Sequence, residues 1–246
     1  MHRPLESELE AMASAARARG RAPVAVLDID LTLVENAPRT RQIWRLWLQS
    51  LGERWPPAAE ALARVDTMPI VFGVMENLGA LGVEDPALLK EGFRFWLEKF
   101  FDDTLCRLDV ALPGAVEAVE SLRAASITVA YLTARPAWMR EGTVETMARL
   151  GFPVCTAGTM LVMKPDMDVA DAIYKQEALG WIGSLGEVIL AADNEPGHCN
   201  VMLAAFSEAR VLHVNTRHSA SAPPLNAGVD VVAALSDGVL VREGGP

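Results

Sequence analysis

Three short apolar runs, each stopping at a cluster of polar groups, constrain this fold more than any other feature of its 246 residues. They are Val24-Ala25-Val26-Leu27 before Asp28-Ile29-Asp30, Thr128 to Leu132 before Thr133-Ala134-Arg135-Pro136, and Glu187 to Ala192 before Asp193-Asn194-Glu195-Pro196. Runs of this length and continuity read as parallel strands covered on both faces. Arg210 to Val214 and a run near Val229 to Val232 extend the same sheet, and helical patterns fall between, at about 114–125, 138–150, 168–180 and 197–207. The alternation predicts an α/β fold, a three-layer doubly wound parallel sheet of Rossmann-like type. Its polar residues gather at the carboxyl ends of the strands, where such sheets bind ligands. A content of 51% hydrophobic and 22% charged residues supplies the core this requires.

About a hundred residues separate Asp30 from Thr133, whereas a crossover between parallel strands needs a few dozen at most. The excess predicts an inserted all-helical domain, residues 37–109, hung on a core made of 1–36 and 110–246. Ile43, Trp44, Trp47, Leu48 and Leu51, then Phe93, Trp96, Leu97 and Phe100, stand at helical spacing, with breakers at Pro56, Pro57, Pro69 and Pro86. Four or so helices with both aromatic stripes in their core are expected. Residues 5–19 predict a further surface helix ended by Pro23.

No stretch approaches the roughly 18 apolar residues of a spanning helix, so no membrane partner is expected. Met1 to Arg21 lacks the apolar centre of a secretory signal, which makes a cytoplasmic location the expectation. With 22 basic against 32 acidic residues the net charge is −10, which disfavours nucleic acid as a partner. Cys106, Cys155 and Cys199 are odd in number and far apart, so buried free thiols are expected rather than disulfides or a zinc site.

Asp28 and Asp30 stand two apart at a strand end, so an extended chain points both carboxylates the same way. Such a pair needs a counter-charge or a shared proton. Mg²⁺ accepts one or two carboxylates and bridges to phosphate oxygens, which suits the arrangement.

The motif Asp28-Ile29-Asp30-Leu31-Thr32-Leu33, a second strand ending in Thr133 and a third ending in Asp193 resemble the haloacid dehalogenase superfamily. The likeness runs over residues 23–215 and includes the insertion, which in that superfamily forms a helical cap. It implies a Mg²⁺-dependent phosphatase acting on a small phosphate ester. By this likeness Asp28 is the nucleophile that forms an aspartyl phosphate, and Asp30 is the general acid and base, with its backbone carbonyl on the metal. Thr133 binds a phosphoryl oxygen, and Asp193 joins Asp28 and Asp30 around Mg²⁺. A lysine is also required. Lys175, 18 residues before Asp193, is favoured because its surroundings look like the phosphatase domain of polynucleotide kinases, and Lys164 is the other candidate. Thr32, Arg135, Lys164 and Asn194 are candidate substrate contacts.

The sequence departs from the superfamily pattern after Asp193, where Asn194 and Gly197 stand at positions usually acidic. Glu195 is the candidate for the second acidic role. His198 and Cys199, adjacent on a helix, face different directions and suggest no transition-metal site. A phosphomutase using the same residues, a non-catalytic binding protein and processing of nucleic-acid ends are the alternatives, while the presence of Asp30 disfavours dehalogenation. Selectivity is expected from insertion residues facing the site, with Trp44, Arg45, Trp47, Arg94 and Trp96 as candidates. Oligomeric state is not legible.

Overall fold

A computed structural model describes residues 4–241; residues 1–3 and 242–246 at the ends of the expected core lie outside the described residues. Helix α1 (Ser7–Ala18) buries Leu9, Ala13 and Ala16 against the sheet. It stops at Ala18, two residues before Gly20 with its φ of +72°, and not at Pro23, which instead opens β1 (Pro23–Leu27). A two-residue strand, β2 (Val34–Glu35), leads into α2 (Ala37–Leu51), α3 (Ala58–Val65), α4 (Val74–Ala80) and α5 (Pro86–Phe100). A 3-10 turn over Asp103–Leu108 returns the chain through β3 (Val110–Ala111). The order then runs α6 (Ala115–Ala124), β4 (Thr128–Pro136), α7 (Arg140–Arg149), β5 (Thr159–Lys164), α8 (Asp171–Leu185), β6 (Glu187–Asp193), α9 (Pro196–Ala205), β7 (Arg210–Val214), β8 (Val229–Val232) and α10 (Leu235–Val239).

Six strands pair in parallel in the order β5-β4-β1-β6-β7-β8. β5 is the strand beyond the five apolar runs. It lies at the sheet edge with most of its residues only half-buried, so it lacks the continuous apolar signature of the others. Leu27, Val119, Leu122, Tyr131 and Met147 pack one face beneath α1, α6, α7 and α10. Val26, Leu132, Leu179, Ile182 and Met202 pack the other beneath α8 and α9. The result is the three-layer doubly wound sheet expected.

The helices between β2 and β3 have their own core around Trp44, Trp47, Leu48, Leu51 and Leu78. Trp44 and Trp47 meet edge to face with centroids 6.1 Å apart. The second aromatic stripe departs from expectation: Phe93 and Leu97 are exposed and Trp96 and Phe100 only half-buried. The cause is local. α5 packs inward through Leu88, Gly92 and Phe95. A Cβ at Gly92 would lie 2.8 Å from Leu78 Cδ2, so this close approach turns the stripe partly away.

β2 and β3 pair antiparallel, Val34 with Ala111 and Glu35 with Val110, so the chain enters and leaves the helical segment through one small ladder. The 3-10 turn also seats tightly on α7, where a Cβ at Gly142 would come within 2.1 Å of the Asp103 carbonyl oxygen. Gly142→Ala is therefore expected to cost about 1–3 kcal/mol, read as a lower thermal midpoint. An unchanged midpoint would contradict so close a contact.

Cys106 and Cys199 are buried, but Cys155 is exposed, correcting the expectation of three buried thiols. It occupies a turn beyond α7 with φ of +54°. Among the described residues no helix is long and apolar enough to cross a membrane.

Candidate active site

β4, β1 and β6 are neighbours at the centre of the sheet, so their carboxyl ends deliver Thr133, Asp28 and Asp193 side by side. Lys175 approaches from the second turn of α8. Its ammonium is buried and donates to Asp28 Oδ1 at 2.8 Å and to Asp193 Oδ2 at 2.5 Å. His198 Nδ1 lies 3.2 Å from the same nitrogen and 3.4 Å from Asp193.

One ammonium thus serves two buried carboxylates. Burial pushes the Asp28 carboxyl up, Lys175 opposes this, and the nearby Asp193 and Asp30 charges add to it, leaving it at about 7. For Asp193 burial acts upward too, but Lys175 and His198 outweigh it and hold the group well below the usual carboxylate range. Burial works against the Lys175 charge, yet the two carboxylates keep its pKa above the ordinary value.

Thr32 is fully buried, donates to Asp28 Oδ2 at 3.3 Å and does not reach the cavity wall. Its position behind Asp28 in the turn after β1 corrects the expected substrate contact to a support of the carboxylate. That turn holds Leu31 at φ of +63°, an uncommon conformation for a branched side chain. Thr133 is on the cavity wall, and its Oγ1 accepts from Arg135 N at 3.2 Å. Here β4 bulges: Thr133 pairs with Met163 and Pro136 with the next residue, Lys164. The two extra residues place Arg135 beside the β1 tip.

Asp30 is enclosed by a buried ionic cluster. Arg135 Nε donates to its Oδ2 at 2.6 Å and Nη2 to its Oδ1 at 2.9 Å. Arg39, carried by α2, donates to Oδ1 at 2.7 Å, and Asn36 donates to the same atom at 3.1 Å. Both guanidiniums also meet Asp109: Arg135 Nη2 bonds its Oδ2 at 2.7 Å, and Arg39 Nε lies 3.0 Å from Oδ1 without the alignment of a hydrogen bond. Arg39 further donates to the Phe100 carbonyl, with its guanidinium 4.1 Å from that ring's centroid. Burial alone would raise the Asp30 pKa, but Arg135 and Arg39 outweigh it and hold the group well below the usual range. For Asp109, fully enclosed, burial prevails and the shift is upward. In this arrangement Asp30 is an acceptor only.

Lys164 is not brought to the cavity. Its ammonium, at the end of β5, is buried and paired with Asp171 at 2.7 Å, so the expected substrate contact is corrected to an ion pair behind the wall. Asn194 lines the cavity and donates to the Arg217 carbonyl at 2.7 Å. Glu195 accepts from Ser219 N at 2.7 Å, so its carboxylate is turned toward that loop. Of the five insertion candidates only Trp96 lines the cavity. Trp44 and Trp47 are core, Arg45 pairs with Asp66, and Arg94 is exposed. Arg39 and Asp109 are the important residues that sequence reading missed. They stand in no motif, and only their places at the two ends of the insertion hint at a shared role.

The donor set fits a hard divalent cation. Asp28 and Asp193 are buried carboxylates that share a single ammonium, oxygen donors of the kind such an ion takes. Among the described residues no cluster of three or more His, Cys, Asp or Glu side chains could cage a metal. Two carboxylates suffice for an ion that retains water and takes oxygens from a substrate.

The fold is shared with solved structures described as a haloacid dehalogenase-like hydrolase and as a phosphatase. The chain is similar to a structure described as a phosphatase from Clostridium difficile (TM-score 0.57, 13% identity, 88% of this chain and 97% of that one). It is also similar to one described as a haloacid dehalogenase-like hydrolase from Bacteroides fragilis (TM-score 0.54, 14% identity, 88% and 99%). A third likeness is to CbbY from Rhodobacter sphaeroides in complex with phosphate (TM-score 0.51, 14% identity, 87% and 94%). No protein-family model and no curated protein sequence matches this chain.

Proposed function

We propose that this protein is a Mg²⁺-dependent phosphoric monoester hydrolase that works through an aspartyl phosphate. The observation carrying this reading is Lys175 bridging Asp28 and Asp193 beside Thr133, at the carboxyl ends of three adjacent strands. Phosphoryl transfer asks a protein mainly for positioning and for stabilisation of charge, and this constellation supplies both. An oxygen of Asp28 attacks phosphorus as the bond from phosphorus to the alcohol oxygen breaks. Lys175 and the Thr133 hydroxyl bind the phosphoryl oxygens. Water then attacks the phosphorus of the acyl phosphate, which releases inorganic phosphate and restores the Asp28 carboxylate. Asp28, Asp193 and the Asp30 carbonyl would hold Mg²⁺, whose chemistry is neutralisation of phosphoryl charge.

Asp30 protonates the departing alcohol oxygen and afterwards takes a proton from the attacking water. It can carry a proton only after leaving Arg135 and Arg39, so its role requires a movement at the cluster. Because α2 brings Arg39, displacement of the helical segment is the means we assign.

The test is phosphate release from 4-nitrophenyl phosphate with Mg²⁺ and with excess chelator. Turnover is expected only with Mg²⁺, and Lys175→Met should lower kcat by about 10²–10³, the scale for loss of one donor to developing charge. Turnover indifferent to both would sink the proposal.

A further inference from the structure

We infer that the ester this site takes is that of an apolar alcohol, with the phosphoryl group as its only anion; this deepens the hydrolase reading and rests on it. The cavity, about 510 Å³, has two unlike walls. The sheet side is polar and ionic, with Asp28, Asp30, Arg135, Lys175, Asn194 and His198. The helical side is formed by Ile70, Val71, Phe72, Met75, Phe93 and Trp96, together with Phe100 and Phe101. No lysine, arginine or histidine of the helical segment lines it, and Glu76 is its one charged side chain there.

Four of these apolar side chains, Val71 (41%), Phe72 (44%), Met75 (46%) and Phe93 (40%), are open to solvent although they stand around one cavity. A cluster of exposed large apolar groups on a concave wall marks a ligand surface. The wall is also built rather than slack. Asn77, buried, donates to the carbonyls of Val71 (2.9 Å) and Gly73 (2.7 Å) and accepts from Val71 N at 3.0 Å. One amide side chain therefore fixes the loop that presents Val71 and Phe72.

A sugar or nucleotide would strand most of its hydroxyls against this wall, where Glu76 and Thr40 are the polar side chains not already committed to a partner. Asn77 holds the loop, and Asn36 bonds Asp30 while accepting from Arg217. Unpaired hydroxyls lose affinity on burial. A second anionic group would meet Glu76 and Glu195 on the lining, where Arg217 is already paired with Glu35. An alkyl or aryl remainder instead covers the exposed side chains and gains their burial.

The experiment compares cyclohexylmethyl phosphate with glucose 6-phosphate, two esters of a primary alcohol on a six-membered ring that differ in ring oxygen and hydroxyls. With Mg²⁺, kcat/KM for the apolar ester should be higher by about a hundredfold or more, and Phe72→Ser should shrink that ratio. Calorimetry on the whole protein in chelator should show tighter binding of the apolar ester with a negative heat-capacity change, the mark of apolar burial. Phosphate release with glucose 6-phosphate equal or preferred would overturn the inference and leave the hydrolase reading standing. Selective binding of the apolar ester without release of phosphate from any ester would overturn the hydrolase reading while supporting the ligand class.

Discussion

Asp28→Asn is expected to abolish phosphate release, lowering kcat by about 10⁴ or more, the scale for loss of a covalent nucleophile, and at the same time to stabilise the metal-free protein. The second half follows from the site's charge. Asp28 shares Lys175 with Asp193, and its carboxyl is pushed up to about 7 in the folded chain, against about 3.9 when exposed. A group whose folded pKa is raised contributes stability that is complete below the unfolded value and is lost as pH rises through the folded one. The wild type should therefore lose stability between pH 4 and about 7 through this residue, and the asparagine variant should not. Above pH 7 the variant should gain on the order of 2 kcal/mol, or roughly 4–8 °C in Tm for a chain of this size. Thermal scans across pH in chelator, beside phosphate assays, decide the matter. A variant less stable than wild type at every pH would refute the crowding of charge, and residual turnover near the wild-type rate would refute the nucleophile.

Arg39→Met should destabilise the protein by about 3–5 kcal/mol, because it leaves two buried carboxylates to share one guanidinium. Arg39 and Asp109 are both fully buried, and Arg135 alone would then face Asp30 and Asp109. The partner variant Asp109→Asn should also destabilise. Combining the two restores neutrality and leaves Asp30 with Arg135, so the double variant should cost less than the two changes together, by about 0.5–3 kcal/mol. Denaturant unfolding of the four proteins reads this directly. Strict additivity would show that the cluster does not act as a unit.

The strand tips were legible because each is announced locally, by an apolar run that stops at a polar residue. Asp28, Thr133 and Asp193 could be placed from that pattern alone, and the interval between the first two announced an insertion. Lys175 was harder, because a lysine inside a helical pattern looks like any solvated one. Only the fold shows that the second turn of α8 passes over the tips of β1 and β6. The edge strand β5 was missed for want of burial, and the α5 stripe was misassigned because period alone does not say which apolar face meets protein and which meets a cavity. The Arg39 and Asp109 pairing lies beyond local pattern altogether. Seventy residues separate them in the chain, 109 − 39, and they meet because the segment between them closes on itself.

That closure bears on how such a molecule can change over evolutionary time. Strands paired as β2 and β3 are hold their ends within about 5.5 Å of one another whatever lies between them. An exchange of residues 37–109 would remove Arg39 and Asp109 together and leave Asp30 with Arg135, so neither piece inherits an uncancelled charge. The helical portion is in this sense a cassette. A lineage could replace the wall proposed to select the alcohol without rebuilding the sheet proposed to handle the phosphoryl group, and chimeras cut at the ladder are the natural starting points for testing that division.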